Sequence, residues 1–521
     1  MKSKNTPLFI SNARIFGGEG WDEPVWFEAA LIRNGIITGL GTNAEIRRVV
    51  GGYAQEFNLD GALVLPGLCD AHLHLAAGGQ SLTIPDLSGK NYDGVRKILL
   101  DAAQKTNPGE GWLEAFNWDS NVCRLNADIL DGIIIHRPVV VHQRDLHCCC
   151  CNRQAMQLAQ IHNPTQNSPS GCIGRFDDGR PNGLFYESAV DLILKARPES
   201  SPSERKSFIL NGIAYLKSLG LTAISEVLDH GNEEVYRELD DSGQLDIDID
   251  AWRRVEDWNG ASPPYVDGGR FKVQTLKLFL DGSFGSRTAA LFEPYLDKPD
   301  AKGMTLYSDA QLADICKEAV RCGWRLAMHA IGDRAVDQAC RILAGTSKVN
   351  NVPHRIEHIQ LLPPNGIELL RKSDAVMSIQ PVHLLDDRKW LVDGIGAERC
   401  RQTFIWRSAL EAGVQLAAGS DWPVARPDPL LNLQALMHRA DYSGESHPAF
   451  DATQTLTSTQ SIRALSYGYA VASGWTKRRG SITPGLQADL TVIENYSPDL
   501  NDWANARVKI TITQGRIVFQ R

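Results

Sequence analysis

The middle of this 521-residue chain alternates short apolar segments with longer segments of helical periodicity. The apolar segments are 221–228 (LTAISEVL), 276–282 (LKLFLDG), 324–330 (WRLAMHA), 354–359 (HRIEHI), 375–381 (AVMSIQP) and 414–421 (VQLAAGSD). Such alternation predicts βα units and a parallel sheet. With LVLPGLCDAHLH as the first strand and one or two strands from residues 110 to 145, the count is about eight, the number of a (β/α)₈ (TIM) barrel. We predict this α/β fold, with a doubly wound open sheet as the alternative.

Strand-rich segments punctuated by turn residues occupy both ends of the chain. We expect residues 1–65 and 481–521 to form one small composite β-sandwich domain, because chain termini often lie close together. Two unrelated edge hairpins are the alternative. The barrel is then expected within 66–480. Residues 78–215 are too long for one loop and helix, so we predict an insertion within them, after the first strand and over the barrel mouth.

Charge and hydropathy narrow the classes of partner. The chain has 54 Lys+Arg against 62 Asp+Glu, a formal charge of -8, and no basic tract. Nucleic acid and anionic membranes are therefore not expected partners. We expect the partner to be a small-molecule substrate. The start of the sequence lacks the apolar core of a signal peptide, and no run is long enough to span a bilayer. We expect a cytoplasmic protein, and a homodimer is among the expected assemblies.

Four of the 11 cysteines are consecutive, at 148–151. Four successive residues cannot converge on one tetrahedral ion, and on a strand alternate members face opposite sides. We therefore expect buried small side chains with free thiols rather than a metal site or a disulfide framework.

Polar side chains follow the predicted strands at their carboxyl ends, where barrels of this type place their active sites. They are Asp70, His72 and His74 after the first strand, Lys277 and Asp281 around the fourth, His329 after the fifth, His358 after the sixth and Asp421 after the last. Residues i and i+2 of a strand project to the same side, so the first two histidines can bind one ion together. Four imidazoles and a carboxylate suit zinc or a similar divalent metal.

Lys277 is a charged residue inside an apolar strand, at the level of the predicted metal ligands. It could extend its head to solvent or form a buried ion pair, but neither explains a cation at a level where it would repel a metal ion. Reaction with carbon dioxide would convert the amine into an anionic carbamate with two oxygens. We predict that Lys277 bridges two metal ions in this form.

Several motifs resemble those of the amidohydrolase superfamily. LVLPGLCDAHLHL resembles its HxH signature, and AMHAIGDRAVD, HRIEHIQ, AAGSDWPV and SITPGLQADLTVI follow in the expected order. Together with KLFLDGSFGSRTAAL, FNWDSN and DLHCCCCNRQAM, they make the chain similar to the YtcJ-like branch of amidohydrolase family 3, which includes N-substituted formamide deformylase. The resemblance covers nearly the whole chain. It departs from the branch at DLHCCCC, where members more often carry DGHAAWV.

The resemblance implies a metal-dependent hydrolase of amide-type carbon–nitrogen bonds with two zinc ions per chain. In the superfamily, the first-strand histidines bind one ion, the histidines of strands five and six bind the other, a carboxylated lysine bridges them, and the last-strand aspartate binds the first ion and shuttles the proton. In that order the matching positions are His72 and His74, His329 and His358, Lys277, and Asp421.

Five residues near this centre are predicted to contact substrate: Trp118, His147, Asp281, Arg287 and His383. For Trp118 the alternative is packing, and for Asp281 and Arg287 it is a hydrogen-bonded turn. Glu357 would face away from His358 on a regular strand, so we predict a packing or salt-bridge role for it.

Two other functions stay open. One is a mononuclear, deaminase-like hydrolase in which His72, His74, His329 and Asp421 hold one ion, His358 contacts substrate or water, and Lys277 is unmodified. The other is a catalytically silent binding protein on the same fold. Because all six ligand positions are filled, the silent protein is the less favoured.

Overall fold

The computed structural model describes residues 6–105, 111–143, 147–162, 165–167, 171–266 and 269–521. Asp145 and Leu146 of the DLHCCCC motif lie outside the described residues, as do parts of the 78–215 segment. None of the helices in the described residues combines the length and apolarity needed to cross a membrane.

The strands in the described residues are β1 (Leu8–Ser11), β2 (Arg14–Gly17), β3 (Val25–Phe27), β4 (Ala29–Arg33), β5 (Ile36–Gly41), β6 (Gln55–Asn58), β7 (Leu63–Pro66), β8 (Leu68–Leu73), β9 (Leu113–Trp118), β10 (Val139–Gln143), β11 (Cys148–Cys151), β12 (Gly171–Arg175), β13 (Pro181–Glu187), β14 (Leu221–Val227), β15 (Asp248–Arg254), β16 (Phe271–Phe279), β17 (Arg325–Ala330), β18 (Arg355–His358), β19 (Val376–Ile379), β20 (Leu416–Ala418), β21 (Leu490–Glu494), β22 (Arg507–Thr513) and β23 (Arg516–Gln520).

The α-helices in the described residues are α1 (Asn43–Val50), α2 (Leu75–Ser81), α3 (Tyr92–Gln104), α4 (Ala127–Ile133), α5 (Arg153–Leu158), α6 (Val190–Leu194), α7 (Pro202–Ser218), α8 (Glu233–Asp241), α9 (Asp309–Arg321), α10 (Asp333–Ala344), α11 (Gly366–Ser373), α12 (Pro381–Asp387), α13 (Leu391–Ile395), α14 (Ala397–Cys400), α15 (Trp406–Glu411), α16 (Pro429–His438), α17 (Ser458–Ala464) and α18 (Tyr467–Ser473). Single 3₁₀ turns occupy Val255–Asp257 and Ala452–Gln454.

The barrel helices begin where the sequence supplies caps. Ser201 accepts a hydrogen bond from the Glu204 amide in a capping box at the start of α7, and Pro202 occupies its first position. Ser308 makes the equivalent capping box with Gln311 at the start of α9. These side chains satisfy amides that a helix leaves without internal partners, which fixes where each helix begins after its loop.

Eight parallel strands form the barrel sheet, in the order β8-β14-β15-β16-β17-β18-β19-β20. The predicted (β/α)₈ architecture is therefore confirmed. The barrel strand that the sequence analysis did not find is β15, which lies between β14 and β16. The prediction of one or two barrel strands within residues 110 to 145 is wrong. β9 and β10 instead belong to a separate five-stranded sheet. β15 was missed because its interior-facing side chains include Asp250 and Arg254, so it lacks a continuous apolar run.

The barrel closes between β8 and β20 through polar contacts. The Asp421 amide donates to the His72 carbonyl at 2.7 Å, and the Ser420 amide donates to the buried Asp70 carboxylate at 3.0 Å. A Cβ at Gly419 would lie 2.5 Å from both Asp70 Oδ1 and the His72 nitrogen, so only glycine allows this close approach. This seam brings the histidines that follow the first strand against the aspartate that follows the last.

Strands from both chain termini combine in the composite β-domain. A six-stranded sheet runs β23-β22-β21-β7-β2-β3, and a four-stranded sheet runs β5-β4-β1-β6. Ile10 and Ile32 of the smaller sheet share one buried cluster with Val64, Val492 and Ile510 of the larger. The composite sandwich is thus confirmed, while its exact limits in the sequence stay a prediction.

The insertion after the first barrel strand folds around the five-stranded sheet β12-β13-β11-β10-β9. The cysteine run forms β11 and is fully buried, as expected. Cys148 and Cys150 face one apolar cluster of the insertion, and Cys149 and Cys151 face another. Burial raises the pKa of Cys149 to about 12, so its thiol stays protonated and serves as a small apolar side chain.

The amino-terminal end of the barrel carries a buried charge network. Asp248, at the start of β15, contacts Arg270 and Arg479 at 3.2 Å and Arg478 at 2.9 Å. Arg479 also contacts Asp489, which lies directly before β21, at 3.0 Å. The network therefore ties the barrel to the composite β-domain.

Candidate metal centre

The strand ends bring the six predicted ligands to one region at the mouth of the barrel. His72 lies in β8, Lys277 in β16, His329 in β17 and His358 at the end of β18. These four residues and Asp421 are buried, and His74 directly follows β8 with 13% of its side chain exposed.

The ligand atoms lie at short distances from one another. Asp421 Oδ1 is 3.4 Å from His74 Nε2 and 3.5 Å from His72 Nε2, and Lys277 Nζ is 3.3 Å from His72 Nε2. The rings of His329 and His358 have centroids 4.5 Å apart. Ligand atoms of His72, His358 and Asp421 all lie within 4.8 Å of one another. A single ion could contact all three of these residues.

Two buried atoms in this group make no hydrogen bond within the described residues: His358 Nδ1 and Asp421 Oδ1. A buried polar atom without a partner is costly, so native structures rarely contain one unless a ligand or water satisfies it. Imidazole nitrogen and carboxylate oxygen are ligands that zinc accepts. The donor set and its unsatisfied atoms therefore fit a divalent metal ion.

Burial sets the protonation states that metal binding requires. Burial, assisted by the charge of Lys277, lowers the pKa of His72 to about 4. Burial also holds the pKa values of His329 and His358 well below the usual range. For Asp421, burial alone would raise the pKa, but its neighbours His72, His74 and His358 keep it well below its ordinary value. Neutral imidazoles and an ionised carboxylate are the metal-binding forms.

Lys277 is fully buried on the interior face of β16. Its Nζ lies 4.9 Å from the ring centroid of Phe279 and 5.6 Å from that of Trp252. Burial lowers the pKa of this amine to about 8. A larger share of the amine is therefore neutral near pH 7 than for an exposed lysine, and the neutral amine is its nucleophilic form.

Glu357 orients the predicted ligand His72. The sequence analysis did not predict this role for Glu357. His72 Nδ1 donates to Glu357 Oε2 at 2.7 Å, which directs Nε2 of the ring toward Lys277 and Asp421. Arg355 donates to the other oxygen of Glu357 at 2.6 Å. Carboxylates that accept from a ligating histidine fix its tautomer and ring position. The predicted salt bridge of Glu357 is present, but its second partner is His72.

The backbone at His358 explains how Glu357 and His358 both reach the centre. Consecutive residues of a regular strand face opposite sides, and Glu357 takes the interior side. His358 has a φ of 75°, in the left-handed region, which turns its ring back toward the centre. Asp421 also has a positive φ, of 60°. Such conformations are unfavourable for residues with a side chain and concentrate at functional sites.

The insertion contributes a hydrogen-bonded chain to this region. His147 Nδ1 donates to Glu187 Oε2 at 2.8 Å, and Thr288 Oγ1 donates to Glu187 Oε1 at 2.6 Å. The His147 ring lies 5.5 Å from the His329 ring, between centroids. A Cβ at Gly282 would lie 2.4 Å from Glu187 Oε1, so glycine is needed for this approach. No periodicity in the sequence indicated Glu187 or Thr288, because they meet only across the insertion boundary.

The other predicted substrate contacts take different places. Trp118 is buried in the core of the insertion, and its Nε1 donates to the Cys123 carbonyl at 2.6 Å. Asp281 is also buried; it accepts from the amides of Ala290, Ile331 and Gly332 at 2.9, 3.0 and 2.9 Å, and its Oδ1 lies 3.5 Å from His329 Nε2. The contacts of Trp118 describe packing, the alternative given above. Asp281 connects the loops after β16 and β17, so its contacts extend beyond the hydrogen-bonded turn that was its alternative.

Arg287 and His383, the remaining two predicted substrate contacts, have different neighbours: Arg287 pairs with Asp297, and His383 lies beside predicted ligands. Arg287 Nε donates to both oxygens of Asp297, at 3.1 and 3.0 Å. His383 lies in the first turn of α12, stacked on His358 with centroids 6.0 Å apart, and its Nε2 is 4.0 Å from Asp421 Oδ2. The structure thus brings His147, Asp281 and His383 beside the predicted ligands, and their contact with substrate stays a prediction.

Comparison with known proteins gives a match over most of the chain. The model of a family described as "Amidohydrolase family" matches residues 55–519. The chain is 29% identical over 519 residues to "Putative amidohydrolase YtcJ" of Bacillus subtilis (strain 168), covering 95% of this chain and 96% of the relative. It is 22% identical over 528 residues to "N-substituted formamide deformylase" of Arthrobacter pascens, covering 95% of each.

A similar fold is found among solved structures. An uncharacterized metal-dependent hydrolase from Pyrococcus horikoshii OT3 superposes with a TM-score of 0.77 at 22% sequence identity, covering 99% of this chain and 100% of that one. At this identity, the likeness supports the fold.

Proposed function

Because this chain belongs to the amidohydrolase family, we propose that it is a metal-dependent hydrolase that cleaves an amide-type carbon–nitrogen bond. The proposed substrates are N-acyl or N-formyl compounds and cyclic amides. The observation that carries the proposal is the buried grouping of His72, His358 and Asp421, whose ligand atoms lie within 4.8 Å of one another. The name of the Arthrobacter pascens relative supports formamides as one substrate class.

The proposed centre would hold two divalent ions, with zinc as the expected metal. The proposed ligands are His72, His74 and Asp421 for one ion, His329 and His358 for the other, and the carbamate of Lys277 between them. In forming the carbamate, the lysine nitrogen bonds to the carbon of carbon dioxide and releases a proton. The lowered pKa of Lys277, about 8, supports this reaction because it increases the neutral fraction of the amine.

Asp421 is the proposed proton shuttle. Divalent ions at this centre would lower the pKa of the attacking water and polarise the substrate carbonyl. Asp421 would accept the proton of that water and pass it to the departing nitrogen, so that one carboxylate serves both halves of the cycle. Its position supports this role, because Asp421 Oδ1 lies 3.4 Å from His74 Nε2 and 3.5 Å from His72 Nε2, among the predicted ligands.

A substrate screen tests the proposed reaction directly. Purified protein loaded with zinc is incubated with N-formyl, N-acyl and cyclic amide compounds, and the amine and acid products are measured by mass spectrometry. We expect stoichiometric release of both products from at least one amide, and release slower by about 10²- to 10⁴-fold when the protein carries Asp421→Asn. Cleavage of esters with no cleavage of any amide would contradict the proposed bond class.

A second candidate is a mononuclear, deaminase-like hydrolase. One observation favours a single ion: in the described part of the chain, only His72, His358 and Asp421 form a compact grouping suited to a metal ion. In that grouping His358 is a ligand, whereas the mononuclear site described above used His74 and His329 instead. Elemental analysis of wild type and Lys277→Ala separates the two candidates. Two ions per chain in wild type, lost on substitution of the lysine, support the bridged centre. One ion in both proteins supports the mononuclear site.

A further inference from the structure

Arg254 lies at the barrel mouth, on the strand that the sequence analysis missed. It is the last residue of β15 and is paired in register with Lys277 of β16. Asp250 and Trp252 precede it at alternate positions and face the barrel interior, where Trp252 lies 5.2 Å from the His72 ring and Asp250 contacts Arg325. Alternation along the strand therefore places Arg254 on the same interior face.

Phe279 connects Arg254 to the metal centre. The guanidinium carbon of Arg254 lies 5.9 Å from the Phe279 ring centroid, and Lys277 Nζ lies 4.9 Å from the same centroid. The ring of Phe279 is also 5.4 Å from that of His329. These distances place the guanidinium beside the proposed ligands, separated from them by one aromatic ring.

The contacts of Arg254 leave it available to a ligand. Its Nη2 is 3.2 Å from Asp229 Oδ1, with 38% of the arginine side chain and 40% of the aspartate side chain exposed. Ion pairs with this exposure contribute little to stability, so the guanidinium is weakly held. Its Nε is buried and has no hydrogen-bond acceptor within the described residues. A buried donor of this kind is costly unless a further acceptor satisfies it.

Arg253 provides a contrast one residue earlier. It faces the outside of the barrel, where its Nε and Nη2 contact both oxygens of Glu233 at 2.9 to 3.2 Å. Its guanidinium also lies 5.1 Å from the Trp324 ring centroid. Arg253 is therefore satisfied by the fold, whereas Arg254 is directed to the mouth with one donor unused.

We propose that Arg254 binds a carboxylate of the substrate, so that the preferred substrates are amides that also carry a negatively charged group near the scissile bond. Guanidinium groups bind carboxylates with paired, charge-assisted hydrogen bonds, which both position and select the ligand. This inference rests on the proposed amide hydrolysis and adds the substrate's charge to it. Cleavage of the amide bond is as described above, and Arg254 takes no part in proton transfer.

The test compares matched substrates on the same protein. Zinc-loaded wild type is assayed with N-formyl and N-acetyl amino acids and with the same compounds whose carboxylate is converted to a primary amide. The quantity measured is the ratio of kcat/KM for the carboxylate to that for its neutral counterpart. A partly unfolded fraction cancels from this ratio, so the result does not depend on how well a variant folds.

We expect wild type to prefer the carboxylate, and Arg254→Gln to lower the ratio by about 10- to 100-fold, mostly through KM. Arg254→Lys should retain part of the preference, and Arg253→Gln should keep the wild-type ratio. The inference is overturned if wild type shows no preference, if Arg254→Gln leaves the ratio unchanged, or if Arg253→Gln lowers it equally.

A binding measurement separates this inference from the proposed reaction. If zinc-loaded wild type cleaves neither member of any pair, the proposed function fails for these compounds. Calorimetric titration of the zinc-loaded Asp421→Asn protein then decides the inference alone. Tighter binding of the carboxylate member that is lost on adding Arg254→Gln supports it, and equal binding of both members contradicts it.

Discussion

The two ends of the barrel use buried charge differently. At the amino end, Asp248 contacts three arginines, and Arg479 joins it to a second carboxylate, so the charges are matched within the fold. At the carboxyl end, Asp421 lies against imidazoles of low pKa, and its Oδ1 makes no hydrogen bond within the described residues. His358 and Asp421 also have left-handed backbone conformations there. The amino end of the barrel is therefore organised for stability, and the carboxyl end is organised for a ligand.

The largest expected effect is at the carboxyl end. Asp421→Asn should lower kcat by about 10²- to 10⁴-fold, because it removes the proposed proton shuttle. Steady-state assays on the best amide substrate, with metal analysis and thermal unfolding of the same sample, check this. Asp300→Asn, at an exposed position, is the matched control and should behave as wild type. A near-normal kcat in the Asp421 variant would remove its assigned role.

At the amino end we expect the opposite pattern. Arg479→Met should reduce the free energy of unfolding by about 3–5 kcal/mol, because two buried carboxylates lose a shared partner. Activity per folded molecule should change little. Arg180→Met is the control, since its ion pair with Asp178 is exposed and exposed pairs contribute little to stability. Equal stability losses in the two variants would show that the amino-end network does not stabilise the barrel.

The free energy of unfolding of the metal-free protein should depend on pH, because the buried imidazole of His72 has a lowered pKa. The pKa of His72 is lowered to about 4, while in the unfolded chain it is about 6.5, so the unfolded state binds more protons between these values. Stability should therefore fall as pH decreases from about 6.5 to about 4, with His72 alone contributing about 3 kcal/mol over this range. Denaturant unfolding at several pH values measures this dependence of the unfolding free energy on pH.

The control for that series is a histidine outside the centre. His72→Asn should flatten the pH dependence of the unfolding free energy, whereas His230→Gln should not, because the His230 side chain is 86% exposed. A pH dependence identical in wild type and His72→Asn would contradict a neutral, buried imidazole at this position.

A smaller effect is expected from the residue that orients His72. Glu357→Gln should weaken metal binding or activity by about 10- to 100-fold, because the amide no longer fixes the ring as a carboxylate does. Zinc competition with a chromophoric chelator measures the affinity. Glu368→Gln, in an exposed ion pair of α11, serves as the control. Unchanged zinc affinity and turnover would leave Glu357 with a purely structural role.

The smallest effect is expected where the insertion meets the centre. Glu187→Gln should lower kcat/KM by about 3- to 10-fold, because its hydrogen bond with His147 is weakened while the imidazole ring stays in place. Metal content should remain that of wild type. If Glu187→Gln instead removes metal, Glu187 and His147 support the metal ligands and do not act through contact with substrate.

The sequence allowed the barrel and its ligand set to be predicted, because the ligands lie at or near the carboxyl ends of apolar strands. His329 and Asp421 could be placed at the mouth from position alone. The strand β15 could not, because Asp250 and Arg254 interrupt its apolar pattern. Periodicity also assigned Glu357 and His358 to opposite faces, since a single left-handed φ at His358 has no signature in a pattern of alternate residues.

Contacts across domain boundaries were the other part that the sequence did not reveal. His147, Glu187 and Thr288 meet only when the insertion folds back over the loop after β16. They are far apart in the chain and share no periodicity. Their meeting depends on tertiary packing around Gly282, which the sequence indicates only as a turn residue.

The most direct test of the central claim is a metal titration. The protein is stripped of metal with a chelator and then titrated with zinc in the presence of bicarbonate, while amine release from an N-formyl or N-acyl substrate and bound zinc are measured together. We expect no turnover in the stripped protein, and activity that rises with bound zinc until the site at the carboxyl end of the barrel is filled. Full turnover by metal-free protein would contradict it.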